Sequence, residues 1–314
     1  MVNVFRPHED TTRSPRLPHL NPQWYLESTS VVAIKAYLEP TTFSSWLRSF
    51  GSMTEIMPPL PTGNGPPSPI SCRSLTKTFK NSTVVDNLSF EIPAGTITGF
   101  VGANGAGKTT TMRMLLGLVS PTSGNALLNG VPFRELQNPR QLVGAVLDGP
   151  GAQPRYTART HLGILATAAS VPKKRVKEVL ELVELDIAGN KRVGAFSLGM
   201  RQRLSLAAAL LTKPPILLLD EPVNGLDPRG ILWMRDLLKQ LAADGCAILI
   251  SSHLLSELAE IAEQVIIIDH GTMKANSSID ELANGRSLEE VYFDLAGSLG
   301  DRPDHNSSSA EEKS

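Results

Sequence analysis

A chain of 314 residues, 41% hydrophobic and 19% charged, holds enough apolar material for one large domain or two modest ones and has the balance of a globular protein. Its formal net charge of −1 excludes an overall field that would gather nucleic acid or an anionic membrane surface. Cys72 and Cys246 each lie in an apolar, strand-like stretch and read as reduced core thiols of an intracellular chain. No apolar run nears the roughly 20 residues that span a bilayer, and the acids and prolines of residues 1–17 are unlike a signal peptide, so any membrane link is expected through a partner.

Residues 1–69 are rich in Pro, Ser and Thr, and residues 57–70 (MPPLPTGNGPPSPI) cannot continue a helix or a central strand. Short apolar stretches at Val31–Leu38 and Ser44–Phe50, with Trp24 and Trp46, are too few for a core, so this extension is expected to be mostly disordered. Translation from Met53 or Met57 is the other reading. From Ser71 to about Leu295 the pattern becomes regular. Apolar, β-branched runs at 84–92, 96–101, 143–147, 216–220, 246–251 and 264–269 predict strands. Helical periodicity fills 108–118, 158–170, 173–184, 199–212, 229–243, 254–262 and 278–284. Apolar strands alternating with helices predict an α/β fold with a mostly parallel sheet, to which the early strands ahead of the first helix add an antiparallel part. Residues 150–212, helical and placed between two sheet strands, predict an inserted helical lobe. The last residues, 298–314, are polar and expected to be disordered.

The segment Gly102-Ala103-Asn104-Gly105-Ala106-Gly107-Lys108-Thr109, followed by Thr110, matches G-x-x-x-x-G-K-[ST] between an apolar strand and a helix. Glycines let backbone N–H groups turn around phosphate oxygens, and the helix start adds its positive dipole end. Lys108 supplies charge to the β- and γ-phosphates of ATP, and the Thr109 hydroxyl can ligate Mg²⁺. The run ILLLD ends at Asp220, at the carboxyl end of a buried strand, where it can hold the metal. Glu221 follows and can act as general base toward water. An acidic pair after a strand is ordinarily a strand end meeting solvent; beside a phosphate loop it reads as part of a site.

Three further segments, in order, resemble the ATP-binding cassette (ABC) family over roughly residues 71–295. Residues 196–202 (FSLGMRQ) resemble its signature, with Ser197 and Gly199 at the serine and second glycine of L-S-G-G-Q. Residues 225–228 (GLDP) resemble its D-loop, and His253 stands where the family has its switch histidine. The resemblance implies a P-loop ATPase in which two nucleotide-binding domains close head to tail. Ser197 and Gly199 would then complete the ATP site of the other copy, His253 would hold the attacking water with Glu221, and Asp227 would couple the two sites. Phe79 matches the family's adenine-stacking aromatic, or is an ordinary strand residue.

Two departures stand out. Asp148 occupies the position where the family usually carries a Gln that touches Mg²⁺, and Leu198 and Met200 replace commoner signature residues. Both departures, and the closing stretch 287–293 (SLEEVYF), resemble the subgroup that exports drugs and antimicrobial peptides. The resemblance implies an ATPase subunit on the cytoplasmic face of the membrane, bound to a separate multi-span permease, with no nucleic-acid partner. An ABC ATPase acting on ribosomes or DNA is the alternative, but the paired cassettes or interrupting coiled coil of such relatives are not seen in this sequence.

Overall fold

The computed structural model describes residues 67–147, 151–252 and 255–297. The expectations placed on residues 1–66, on the tail from residue 298, and on Asp148 and His253 lie outside the described residues. Strands β1 (Ile70–Phe79) and β2 (Ser82–Ile92) form a hairpin through a tight turn at Lys80, whose φ is 51°. With β4 (Ser123–Leu128) they make an antiparallel sheet in the order β2-β1-β4. The main sheet runs β5-β6-β7-β3-β8-β9, with β3 (Ile97–Val101), β5 (Val143–Val146), β6 (Ile216–Asp220), β7 (Ala247–Ser252) and β8 (Gln264–Asp269) parallel. Strand β9 (Thr272–Ser278) closes one edge antiparallel to β8.

Side-chain alternation along these strands separates two cores. Ile97, Val101, Leu217, Leu219, Ile248, Ile250 and Ile267 point to one face, where they meet α6 (Pro228–Ala243) and α7 (Leu255–Ala259). The short helices α8 (Ile279–Ala283) and α9 (Leu288–Gly297) add Ile279 and Leu288 to the same core. Phe100, Leu218, Leu249 and Ile266 point to the other face. There they pack on α1 (Lys108–Leu115) and on the buried side of the antiparallel sheet, including Ile70, Leu88 and Ile92. A short helix, α2 (Pro139–Leu142), leads into β5.

Between β5 and β6 the chain forms α3 (Ala158–Ala168), α4 (Lys174–Leu182) and α5 (Leu198–Ala209). These enclose a third core built on Leu162, Val179, Leu180 and Leu204. Helix α3 starts where the Thr157 hydroxyl accepts the Thr160 N–H at 3.1 Å, an N-cap that satisfies one open donor. Helix α5 has no single apolar face: Leu204 and Ala207 enter the helical core, while Leu206 and Ala209 enter the main core.

The sheet corrects one expectation. The segment 96–101, expected with the early antiparallel strands, is β3, at the heart of the parallel sheet between β7 and β8. Its five residues are all buried and have two faces to cover, whereas β2 alternates buried and exposed positions and suits a half-covered sheet. Strands β1, β4 and β9 escaped the apolar-run criterion because polar residues such as Arg73, Asn125 and Lys274 interrupt them. Among the described residues no helix is long and apolar enough to cross a membrane.

Candidate functional site

Strand β3 delivers the loop 102–107 to the carboxyl edge of the sheet, and α1 begins directly after it. Gly107, the residue before the helix, has φ 107°, and a Cβ there would lie 2.7 Å from the Val84 carbonyl oxygen, so the turn requires glycine. Gly105 has φ 84° and faces open space. Helix α1 has no side-chain cap and no acid in its first turn, which leaves its leading N–H groups and dipole end directed at the loop. The loop also rests on a neighbouring turn: the Gly271 N–H donates to the Ala106 carbonyl at 3.2 Å, and the Gly271 carbonyl accepts the Asp86 N–H at 2.8 Å.

Lys108 is buried at the mouth of this loop, its Nζ donating to the carbonyls of Gly102 at 2.6 Å and Ala103 at 3.3 Å. Burial lowers its pKa, and the nearby Glu221 and Asp220 carboxylates oppose that effect. A cation held by carbonyl dipoles in a partly dry pocket is prepared for a polyphosphate, which offers it formal negative charge.

Asp220 ends β6 and is buried. One carboxylate oxygen accepts the Thr109 hydroxyl at 2.7 Å, so the loop's threonine and the strand's acid meet across 111 residues of sequence. Its other oxygen accepts the Ser251 hydroxyl in a short hydrogen bond. The register explains the meeting, since Ser251 on β7 pairs with Asp220 on one side and with Phe100 on the other. The Glu221 N–H donates to the Ser251 hydroxyl at 3.0 Å and to the Ser251 carbonyl at 3.2 Å. Glu221 itself has φ 50°, a left-handed conformation that costs about 1–2 kcal/mol for a side-chain-bearing residue. This turn takes the chain off the strand and puts Glu221 on the wall of the cavity.

That cavity, about 500 Å³, is lined by Asn104, Gly105, Gly107, Lys108, Thr109 and Thr110 on one side and by Asp220 and Glu221 on the other. Sequence reasoning missed Ser251; the two serines ending ILISS, next to the buried acid's strand, were its only signal. Val84, Asn224, Leu198 and Gln202 complete much of the wall; Val84 and Asn224 were not expected there, and Leu198 and Gln202 were read only as part of the signature. Gln202 reaches the Glu221 carbonyl with its side-chain amide at 3.5 Å, which brings α5 to its own chain's acidic pair.

The remaining sequence-predicted residues among those described lie outside the lining. Ser197 is exposed and caps α5, accepting the Met200 N–H at 3.2 Å. Gly199 packs closely on the D-loop, since a Cβ there would lie 3.1 Å from the Gly225 carbonyl oxygen. Asp227 caps α6, accepting the Gly230 N–H at 2.7 Å. Phe79, at the end of β1, is half exposed with the Lys77 ammonium 4.8 Å from its ring centroid, and the described cavity does not include it.

Comparison with known proteins agrees with this geometry. The family model described as "ABC transporter" matches residues 85–224. The bacitracin transport ATP-binding protein of Bacillus licheniformis is 44% identical over 232 residues, covering 72% of this chain and 75% of that protein. A lantibiotic transport ATP-binding protein of Streptococcus pyogenes is 34% identical over 71% of this chain and 95% of its own length. Among solved structures, an ATP-binding subunit of an ABC transporter superposes with a TM-score of 0.67 at 27% identity, over 73% of this chain and 99% of that one. A bacterial ABC transporter cassette solved as a dimer gives 0.62 at 25% identity, over 67% and 98%. A nucleotide loop joined to a buried Asp-Glu pair on this fold, together with relatives of this identity and coverage, leads to one conclusion: the chain belongs to the ABC transporter family of ATPases.

Proposed function

We propose that this chain is the ATP-hydrolysing subunit of an exporter for drugs or antimicrobial peptides, and that it works as a pair on a separately encoded membrane permease. The observation that carries the reading is the Thr109–Asp220–Ser251–Glu221 constellation, in which one hydroxyl holds the metal-side carboxylate and the backbone of the base. The bacitracin and lantibiotic names of the relatives support the cargo class, and the dimeric bacterial cassette supports the paired state. The association with the cytoplasmic face of a membrane follows from the permease.

In this reading Lys108 and the N–H groups of Gly105 to Thr110 bind the phosphates, and Asn104 helps to line their pocket. Glu221 accepts the proton of the attacking water. The donor set fits Mg²⁺: Thr109 and Asp220 offer two hard oxygens within 2.7 Å of each other. No cluster of three or more His, Cys, Asp or Glu side chains able to hold a metal occurs among the described residues, as suits an ion bound mainly through phosphates and water. When bound, the ion neutralises charge on the β- and γ-phosphates. Ser197 and Gly199 face the nucleotide of the second copy, and Asp227 links the two sites. His253, Asp148 and Phe79 keep the roles that the family pattern assigns: the switch, a metal contact and the adenine platform.

The test is Glu221→Gln in the full chain. Hydrolysis should fall by about a hundredfold or more with nucleotide affinity retained, and ATP should drive the variant into dimers. Hydrolysis at the wild-type rate rejects Glu221 as base. Affinity capture of the tagged chain from native membranes should recover a multi-span permease; recovery of ribosomes or DNA instead rejects the exporter reading.

A further inference from the structure

Helix α5 starts with the candidate signature, and α6 starts at the D-loop. The two helices approach at their starts, where Gly199 on α5 lies against the Gly225 carbonyl in the loop that leads into α6. They meet again six residues beyond Ser197 and six beyond Asp227, about two helical turns down each. There the Arg203 guanidinium lies 4.0 Å from the centroid of the Trp233 ring on α6. The same guanidinium donates to the Val183 carbonyl at 3.1 Å and pairs with Glu184 at 2.8 Å, at the end of α4. Its side chain is 14% exposed. Trp233 in turn packs against both the main core and the helical core. One planar cation on α5 thus joins α6 to the residues that follow α4, and its Trp233 contact is one a planar guanidinium makes better than an ammonium.

We propose that Arg203, stacked on Trp233, is a positioning residue for ATP hydrolysis: it locks α5 to α6 and so aims Ser197 and Gly199 at the nucleotide bound by a second copy. This rests on the paired reading above. A fixed hinge of this kind predicts a loss in closure and turnover, with nucleotide binding by the single chain untouched.

The experiment uses the full chain in the Glu221→Gln background, with Mg²⁺-ATP titrated while light scattering follows dimer formation and a fluorescent ATP analogue reports binding by the monomer. Arg203→Met and Trp233→Leu should each weaken ATP-driven dimerisation by about tenfold with monomer affinity unchanged, and the double variant should be no worse than either single. Arg203→Lys and Trp233→Phe, which keep a cation or a ring and preserve the packing, should each lose about threefold, so the answer does not depend on the harsher variants folding. In the Glu221 parent, the same substitutions should lower kcat and leave KM for ATP in place. The inference is overturned if the variants dimerise as their background does, if the two losses simply add, or if monomer affinity falls instead. If Glu221→Gln alone forms no dimer with ATP, the paired reading fails first and the inference fails with it.

Discussion

Ser251 shows how one hydroxyl can organise an acidic pair. Its proton goes to Asp220 and its lone pair accepts the Glu221 N–H, so the metal-side carboxylate and the turn that presents the base share a single support. Ser251→Ala should lower kcat by about tenfold while nucleotide affinity changes little, because such supporting contacts orient the reactive groups without touching phosphate. A pre-steady-state measurement of hydrolysis at saturating ATP checks this; an unchanged rate shows that Asp220 and Glu221 hold their places alone. Lys108 acts on binding. Lys108→Ala removes a charged donor from the loop and should weaken ATP affinity by about tenfold to a hundredfold, measurable by equilibrium titration. Lys108 was legible from the sequence because its motif is local. Ser251 was not, because its role exists only once β6 and β7 pair in the observed register.

At the scale of elements, α3 carries a testable titration. His161 lies in the helical lobe, and burial pushes its pKa down to about 4 from an ordinary 6.5. The folded chain therefore keeps it neutral between those values while the unfolded chain protonates it. Its contribution to stability is fully present above about pH 6.5 and is lost as pH falls toward 4, by at most about 3 kcal/mol. Thermal unfolding of the wild type should weaken across this window more than that of His161→Gln, and parallel pH curves would show that His161 titrates normally. The elements themselves were legible where burial is two-sided: β6 (ILLLD), β7 and β8 read directly as apolar runs. Half-covered β1, β4 and β9 did not, and β3 was placed in the wrong sheet because its neighbours in space, β7 and β8, come more than a hundred residues later.

At the scale of the whole molecule, the two cores share the main sheet as a common wall. Cys72 lies in the core beneath the antiparallel sheet, beside strands that also contribute Phe100 and Leu249. Cys246 lies in the opposite core. Burial pushes the Cys246 thiol up to about 12 and the Cys72 thiol higher still, so neither offers thiolate at neutral pH. Both should resist alkylation in the native chain and should react together as denaturant unfolds it, because opening one face strips side chains of the same strands from the other. Mass spectrometry of alkylated peptides checks this, and prior labelling of Cys72 alone would show that the antiparallel sheet opens by itself. The α/β sheet with its inserted helices was legible in the sequence, since those patterns lie within single segments. The sharing of strands between cores depends on the order β5-β6-β7-β3-β8-β9, which no local pattern encodes.

The turn at Gly271 gives this architecture a remote reporter. Its N–H is tied to the floor of the phosphate loop at Ala106, and its carbonyl is tied to Asp86 in the antiparallel sheet. The three segments form a short relay of peptide groups, each polarising the next. Amide hydrogen–deuterium exchange at Gly271 and Asp86 should therefore slow when ATP occupies the loop, although neither amide belongs to the loop itself. A sheet-edge amide then reads out occupancy of the catalytic pocket without a probe attached to it.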